Sequence, residues 1–274
     1  MCTVAPRVPF PYSAPMSGAT ATDREGADVR VLPDAPSLAR AASDEASIVL
    51  RDAVERHGVA NVMLATGNSQ LAFVDALVDP TSGVPWSEVV VFHMDEYVGI
   101  GPDHPASFQR WIRQRIEEPA RPRAAHYLDG RADPEPECER YAGLLASHPL
   151  DLCCLGIGEN GHLAFNDPGV ADFDDPLDVK VVELDAACRR QQVREGHFAT
   201  GADVPALAMT VTIPALLRAA RVLAVVPETR KAAAVQAALR GPVGISCPAS
   251  ILRETPHATL FLDTDSAGGL PAEV

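Results

Sequence analysis

The chain has 274 residues, 47% of them hydrophobic and 22% charged, enough to bury a large core in one big domain or two small ones. Its formal net charge of −14 argues against a non-specific nucleic-acid or anionic-membrane binder, which would be basic. No run of about 18 apolar residues is present to span a membrane, and the six cysteines include no C-x-x-C pair, so a reduced cytoplasmic setting is expected.

Residues 1–28 are rich in Pro, Ser, Ala, Thr and Gly without a period and read as a flexible tail. They lack the long apolar segment of a signal peptide, and Met16 is an alternative start. Residues 29–274 read as a single domain, with no internal repeat and no dividing linker.

Val29–Leu32 is a short strand, and Pro36 and Ser37 open a helix. Its apolar stripe at 38, 42, 46, 49, 50, 53 and 54 closes near Gly58. The strand Asn61–Ala65 runs into Thr66-Gly67-Asn68-Ser69, and a helix follows from Gln70 to Val78. Such a turn offers backbone N–H groups and hydroxyls to a phosphate; it is equally a plain helix N-cap.

Val89–Phe92 is a strand ending in His-Met-Asp95-Glu96-Tyr-Val-Gly99. Adjacent carboxylates at a strand's carboxyl end suit chemistry; the bland reading is a helix-capping Asp beside a solvated Glu. Ser107 opens the next helix. A strand at Ala125–Leu128 and a helix at Pro134–Ala146 lead to residues 150–168. There an apolar run breaks into glycines 156, 158 and 161, with Asn160, His162 and Asp167 close behind.

Val179–Leu184 is a strand. The polar segment Asp185–Gly196, which holds Arg189, Arg190 and Gln192, reads as a helical lid beside that loop. Ala206–Ile213 and Val222–Val226 are strands, the second leading through Thr229-Arg230-Lys231 into an alanine-rich helix to Leu239. A short helix near Ala249–Leu252 and a strand at Thr259–Leu262 end the series.

Strands alternating with helices predict an α/β fold, a Rossmann-like doubly wound, mainly parallel sheet with helices on both faces. Four strand ends carry polar groups, and in such a sheet these converge on one crevice. The chain has only two lysines, Lys180 and Lys231. A lysine in the first turn of a helix opposes the macrodipole, which a bound phosphate would explain; the alternative is a chance surface lysine.

The segments Phe92-His-Met-Asp-Glu-Tyr-Val-Gly99, followed by His104-Pro and Ser107, and Leu155-Gly-Ile-Gly-Glu-Asn-Gly-His-Leu-Ala-Phe-Asn-Asp-Pro168 resemble the glucosamine-6-phosphate deaminase/isomerase family. That family is related to the 6-phosphogluconolactonases, and the resemblance runs from about residue 29 to 265. It implies a sugar 6-phosphate substrate, no metal or nucleotide cofactor, and a homo-oligomer; the acidic charge and the lack of a long apolar run already argue for no nucleic-acid or membrane partner. Asp95 matches the base that moves a proton between C2 and C1, with Glu96 beside it, and His162 matches the ring-opening group flanked by Asn160 and Asp167. Thr66, Gly67, Asn68 and Ser69 fall on the phosphate turn, and Lys231 matches a phosphate ligand.

The chain departs from the family in three places. Asp167 stands where the family often has Glu, Asn160 where some members have Asp, and Gln192 where a lid arginine grips the phosphate. Arg189, Arg190 or Arg194 are the substitutes in reach.

The residues therefore predict an amino-sugar 6-phosphate enzyme that opens the ring and abstracts the C2 proton. The leading expectation is a glucosamine-6-phosphate deaminase giving fructose 6-phosphate and ammonia. The alternative is a dehydratase expelling the C3 hydroxyl of N-acetylglucosamine 6-phosphate. Further alternatives are a lactonase-like hydrolase and a non-catalytic sugar-phosphate sensor.

Overall fold

The computed structural model describes residues 26–270. The tail expected at 1–28 lies outside this range except for its last three residues, and Asp28 already opens the first strand.

In chain order the elements are β1 (Asp28–Leu32), α1 (Ala35–His57), β2 (Ala60–Leu64), α2 (Leu71–Val78), β3 (Val89–His93), β4 (Asp95–Tyr97), α3 (Phe108–Ile112), α4 (Glu118–Ala120) and β5 (Ala124–His126). There follow α5 (Pro134–Ser147), β6 (Leu152–Leu155), β7 (Val179–Glu183), α6 (Ala186–Arg194), β8 (Leu207–Val211), α7 (Ile213–Leu217), β9 (Arg221–Val226), α8 (Ala232–Arg240) and β10 (Ala258–Asp263).

Seven strands form one sheet in the order β1-β10-β9-β6-β2-β3-β5, and every pairing in it is parallel. Parallel strands covered on both faces read as continuous apolar runs. Val89 to His93 are all buried for this reason.

Alternate side chains enter two separate cores. Val62, Leu64, Val89, Val91, Cys154 and Val225 pack under α1 and α2. Met63, Val90, Phe92, Cys153, Leu155 and Ala224 face α5, α7 and α8. Helix α1 is anchored at its start by Asp34, whose carboxylate accepts from Ser37 N, and it closes at Gly58 in the left-handed region.

The structure departs from the expected single sheet in one respect. β7 and β8 leave the parallel sheet and join β4 in a small antiparallel one, ordered β4-β8-β7. Asp95 sits opposite Thr210 and Tyr97 opposite Ala208. Three residues of β4 are too few to signal a strand locally; it forms because β8 supplies the ladder. The strand expected at Ala206–Ile213 accordingly ends at Val211, where Pro214 in the first turn favours α7. A third apolar cluster, including Tyr97, Phe108, Phe165, Cys188 and Phe198, seats this sheet against α6.

Candidate active site

The four polar strand ends belong to β9, β6, β2 and β3, which are adjacent in the sheet. Their carboxyl ends line one crevice, roofed by α6 and the turn after it. The crevice encloses about 600 Å³ of space, part of it open to solvent.

At the end of β2, Gly67 has φ +102°, a backbone conformation that favours glycine. It opens a 3₁₀ turn, Asn68–Gln70, and Thr66, Gly67, Asn68 and Ser69 all line the crevice. Gln70, buried beneath them, donates Nε2 to Val225 O of β9 at 3.0 Å and to Ser69 Oγ at 3.2 Å. This side chain pins the turn to the neighbouring strand end.

Lys231 also lines the crevice from β9's side. It is 3% exposed and forms no ion pair with any described residue. Burial lowers its pKa, and Glu195 acts in the opposite direction. A buried ammonium without a counter-ion is costly, and a bound anion would relieve it.

The adjacent acids separate. Asp95 lines the crevice, is 6% exposed, and its Oδ1 has no hydrogen-bond partner among the described residues. Burial, reinforced by the charge of Glu96, holds its pKa well above the usual carboxylate range.

Glu96 points the other way, because successive residues of a strand face opposite sides. Its Oε1 accepts from Tyr97 N at 3.0 Å and Phe108 N at 3.2 Å, and its Oε2 from Ser107 Oγ at 2.8 Å and Gln109 N at 2.9 Å. Glu96, expected among the catalytic candidates, thus anchors the start of α3 and does not line the crevice.

The loop after β6 fixes His162. Its ring lies against Gly158, where a Cβ would come within 2.3 Å of the imidazole. His162 Nδ1 is 2.8 Å from Asp167 Oδ1. Asn160 donates Nδ2 to the same oxygen at 2.8 Å and accepts from His162 N at 3.1 Å.

Burial pushes the Asp167 carboxyl up, but contacts with His162, Asn160 and the Cys188 thiol outweigh it. The net result lies below the usual carboxylate range. An ionised Asp167 beside Nδ1 favours the tautomer that carries its proton there and leaves Nε2 to exchange protons.

The roof holds Gln191 and Gln192, 7% and 5% exposed, both lining the crevice. Gln192 Oε1 is unpartnered among the described residues. The three arginines weighed as substitutes for a lid arginine point elsewhere. Arg189 donates Nη2 to Gly201 O at 2.6 Å and Val204 O at 3.2 Å. Arg190 is exposed, outside the crevice, and Arg194 pairs with Glu159.

Sequence reasoning missed Glu195 and His197, which line the crevice, and Arg230 behind them. Glu195 Oε1 lies 2.7 Å from Arg230 Nη1 and accepts from Gln191 Nε2 at 2.9 Å; its Oε2 is 3.5 Å from His197 Nε2. Burial raises the Glu195 carboxyl, but His197, Arg230, Gln191 and Lys231 together bring it down to about 2. A polar segment with no recognisable pattern carried no signal for this.

Comparison with known proteins agrees with this geometry. The family model for glucosamine-6-phosphate isomerases/6-phosphogluconolactonase matches residues 33–261. A glucosamine-6-phosphate deaminase of Listeria innocua is 33% identical over 228 residues, 83% of this chain and 94% of that protein. One of Bacillus thuringiensis is 33% identical over 204 residues, 74% and 75% of the two chains. Among solved structures, one described as a monomeric glucosamine-6-phosphate deaminase superposes with a TM-score of 0.79 at 27% identity, covering 88% of this chain and 99% of that one. The 6-phosphogluconolactonase of Trypanosoma brucei shares the fold, with a TM-score of 0.74 at 17% identity over 89% of this chain and 99% of its own. The chain belongs to the glucosamine-6-phosphate isomerase/6-phosphogluconolactonase family and is an enzyme of the glucosamine-6-phosphate deaminase kind.

Proposed function

We propose that the protein converts glucosamine 6-phosphate and water into fructose 6-phosphate and ammonia. The observation that carries this reading is the shared crevice. It holds a buried carboxylate oxygen on Asp95 and a buried ammonium beside a glycine turn, both unpaired among the described residues, and an imidazole oriented by a carboxylate.

In this reading Thr66 to Ser69 and Lys231 hold the phosphate. His162 relays the proton between the C1 hydroxyl and the ring oxygen as the sugar opens, with Asp167 and Asn160 keeping its ring in place. Asp95 then removes the C2 proton, now acidic beside the C1 carbonyl, and returns it to C1. The resulting ketimine takes up water at C2 and releases ammonia.

The raised pKa of Asp95 suits this task, since a more basic carboxylate is better matched to a weakly acidic C–H. Proton transfer by positioned groups contributes about 10²–10⁴-fold; positioning and electrostatics supply the rest.

A second reading has one specific support. Gln192, and not an arginine, faces the crevice from α6 with its Oε1 unpartnered among the described residues. A rebuilt lid suits a substrate differing at its nitrogen. With an N-acetyl group no ketimine forms, and the enolate left after C2 deprotonation expels the C3 hydroxyl as water.

Incubation with each sugar separately decides between them. Ammonia and fructose 6-phosphate from glucosamine 6-phosphate are the expected result. Loss of water from N-acetylglucosamine 6-phosphate, with new ultraviolet absorbance, would move the assignment to the dehydratase. Turnover of neither would reject both.

A reduced, cytoplasmic setting is supported by the described cysteines, all five of them free and buried. The homo-oligomer implied by family resemblance is a separate expectation, to be read by light scattering. The structural relative described as monomeric is its counter-example.

A further inference from the structure

The basic residues at the phosphate end are unequally engaged. Lys231 forms no ion pair with a described residue. Arg230, one position earlier, is surrounded by carboxylates from three segments. Its Nη1 lies 2.7 Å from Glu195 and 3.6 Å from Glu159, and its Nε binds Glu228. Of these three acids only Glu195 lines the crevice, together with Lys231, Gly67 and Ser69. Its side chain is 8% exposed, so its charge is poorly screened. Its backbone carbonyl accepts from Asn68 Nδ2 of the phosphate turn at 3.3 Å, which ties the position of Glu195 to that turn.

A carboxylate facing a phosphate subsite opposes a phosphate dianion. It also holds a guanidinium that would suit phosphate better than it suits a single carboxylate oxygen. We propose that Glu195 is an internal anion occupying the guanidinium side of the phosphate subsite, and that an incoming phosphate displaces it and takes over Arg230. Glu195 thereby lowers affinity for phosphate and sets how strongly the subsite discriminates a phosphorylated sugar. Once Glu195 is displaced, Arg230, from the β9 side of the crevice, supplies the second cation that Gln192 on α6 cannot.

This inference rests on the phosphate reading of Thr66–Ser69 and Lys231, so the test separates the two. Inorganic phosphate binding is measured by isothermal titration calorimetry for the wild type, Glu195→Gln, Arg230→Met, the double variant and Lys231→Met. Glu195→Gln should bind phosphate at least about tenfold more tightly, because it removes a negative charge facing the subsite and frees Arg230. The gain should vanish in the double variant, and Lys231→Met should lose binding.

Unchanged or weaker phosphate binding by Glu195→Gln, with Lys231→Met still impaired, would overturn the inference and leave the phosphate reading intact. A gain that persists without Arg230 would overturn it too. Phosphate binding indifferent to Lys231→Met would remove the phosphate reading and the inference with it. Glu195→Ala serves as a second neutral variant if glutamine disturbs α6, and thermal melts establish that each protein is folded.

Discussion

At the His162 end of the crevice, Asn160, His162 and Asp167 close a ring of contacts of 2.8–3.1 Å, and Gly158 leaves the imidazole only one comfortable place. At the Lys231 end an ammonium lies buried without an ion pair, while three carboxylates crowd the guanidinium beside it. The first region is held together by its own side chains. The second spends its carboxylates on Arg230 and leaves Lys231 without a direct ion pair among the described residues. Electrostatic preorganisation is valuable where charge develops during reaction, whereas a binding subsite can leave its cation unmatched until substrate arrives. The two ends should therefore respond differently to substitution, one in turnover and the other in affinity.

The largest effect is expected at Asp95, which lines the same crevice. Asp95→Asn should lower kcat by at least about 10²–10⁴-fold while raising stability by about 0.5–2 kcal/mol at neutral pH, as often happens when a strained catalytic group is relieved. The pH dependence has a definite sign. In the unfolded chain Asp95 ionises near its ordinary value of about 3.9; in the fold its pKa is raised. Below about 3.9 both states are protonated and the variant gains nothing. As pH rises toward the folded pKa the unfolded state loses its proton first, so wild-type stability falls and the variant's advantage grows. Denaturant melts at several pH values check this; an advantage that is largest in acid would contradict the assigned burial.

His162→Gln should cost about 10²-fold in kcat on a substrate that enters as the closed ring, with a smaller loss in KM. Gly158→Ala should reproduce much of that loss, since its Cβ would strike the imidazole. Steady-state kinetics with both variants would show whether the ring's place, and not merely its presence, matters. Activity retained in Gly158→Ala would mean that the loop yields.

Lys231→Met should raise KM by about 10–100-fold, the scale of a lost charge-assisted contact of about 1.5–3 kcal/mol, and leave kcat nearly unchanged. A fall in kcat without a change in KM would mean that Lys231 acts on the reacting atoms, erasing the distinction between the two ends.

The smallest effect on turnover should come from Glu96→Ala. It removes the acceptor for three backbone N–H groups and the Ser107 hydroxyl, at a cost of about 1–3 kcal/mol. The melting temperature should drop by about 2–4 °C per kcal/mol, and kcat/KM measured well below the melt should fall less than in the variants above, by the loss of the Glu96 charge beside Asp95.

The contrast between Asp95 and Glu96 also marks where local reading stops. Two adjacent acids after an apolar strand are visible in the sequence, and both can be held as catalytic candidates. Which one enters the crevice depends on β4, and β4 exists only because β8, more than 100 residues later, pairs with it. The same holds for the roof. The polar character of Asp185–Gly196 was legible, but its pattern did not say that Gln191, Gln192 and Glu195 face inward while Arg189 and Arg190 do not.

What the sequence by itself determined is the parallel sheet, through apolar runs of strand length between helical stripes, and the polar turns at four strand ends, through the glycines that break those runs. Both are local consequences of burial and backbone freedom. Only the tertiary structure decided the order β9-β6-β2-β3 that makes those four ends neighbours, the separation of β4, β7 and β8 into a second sheet, and the encounter of Glu195 with Arg230. Strand order and charge pairing across 35 residues depend on which surfaces meet, and no local periodicity records that.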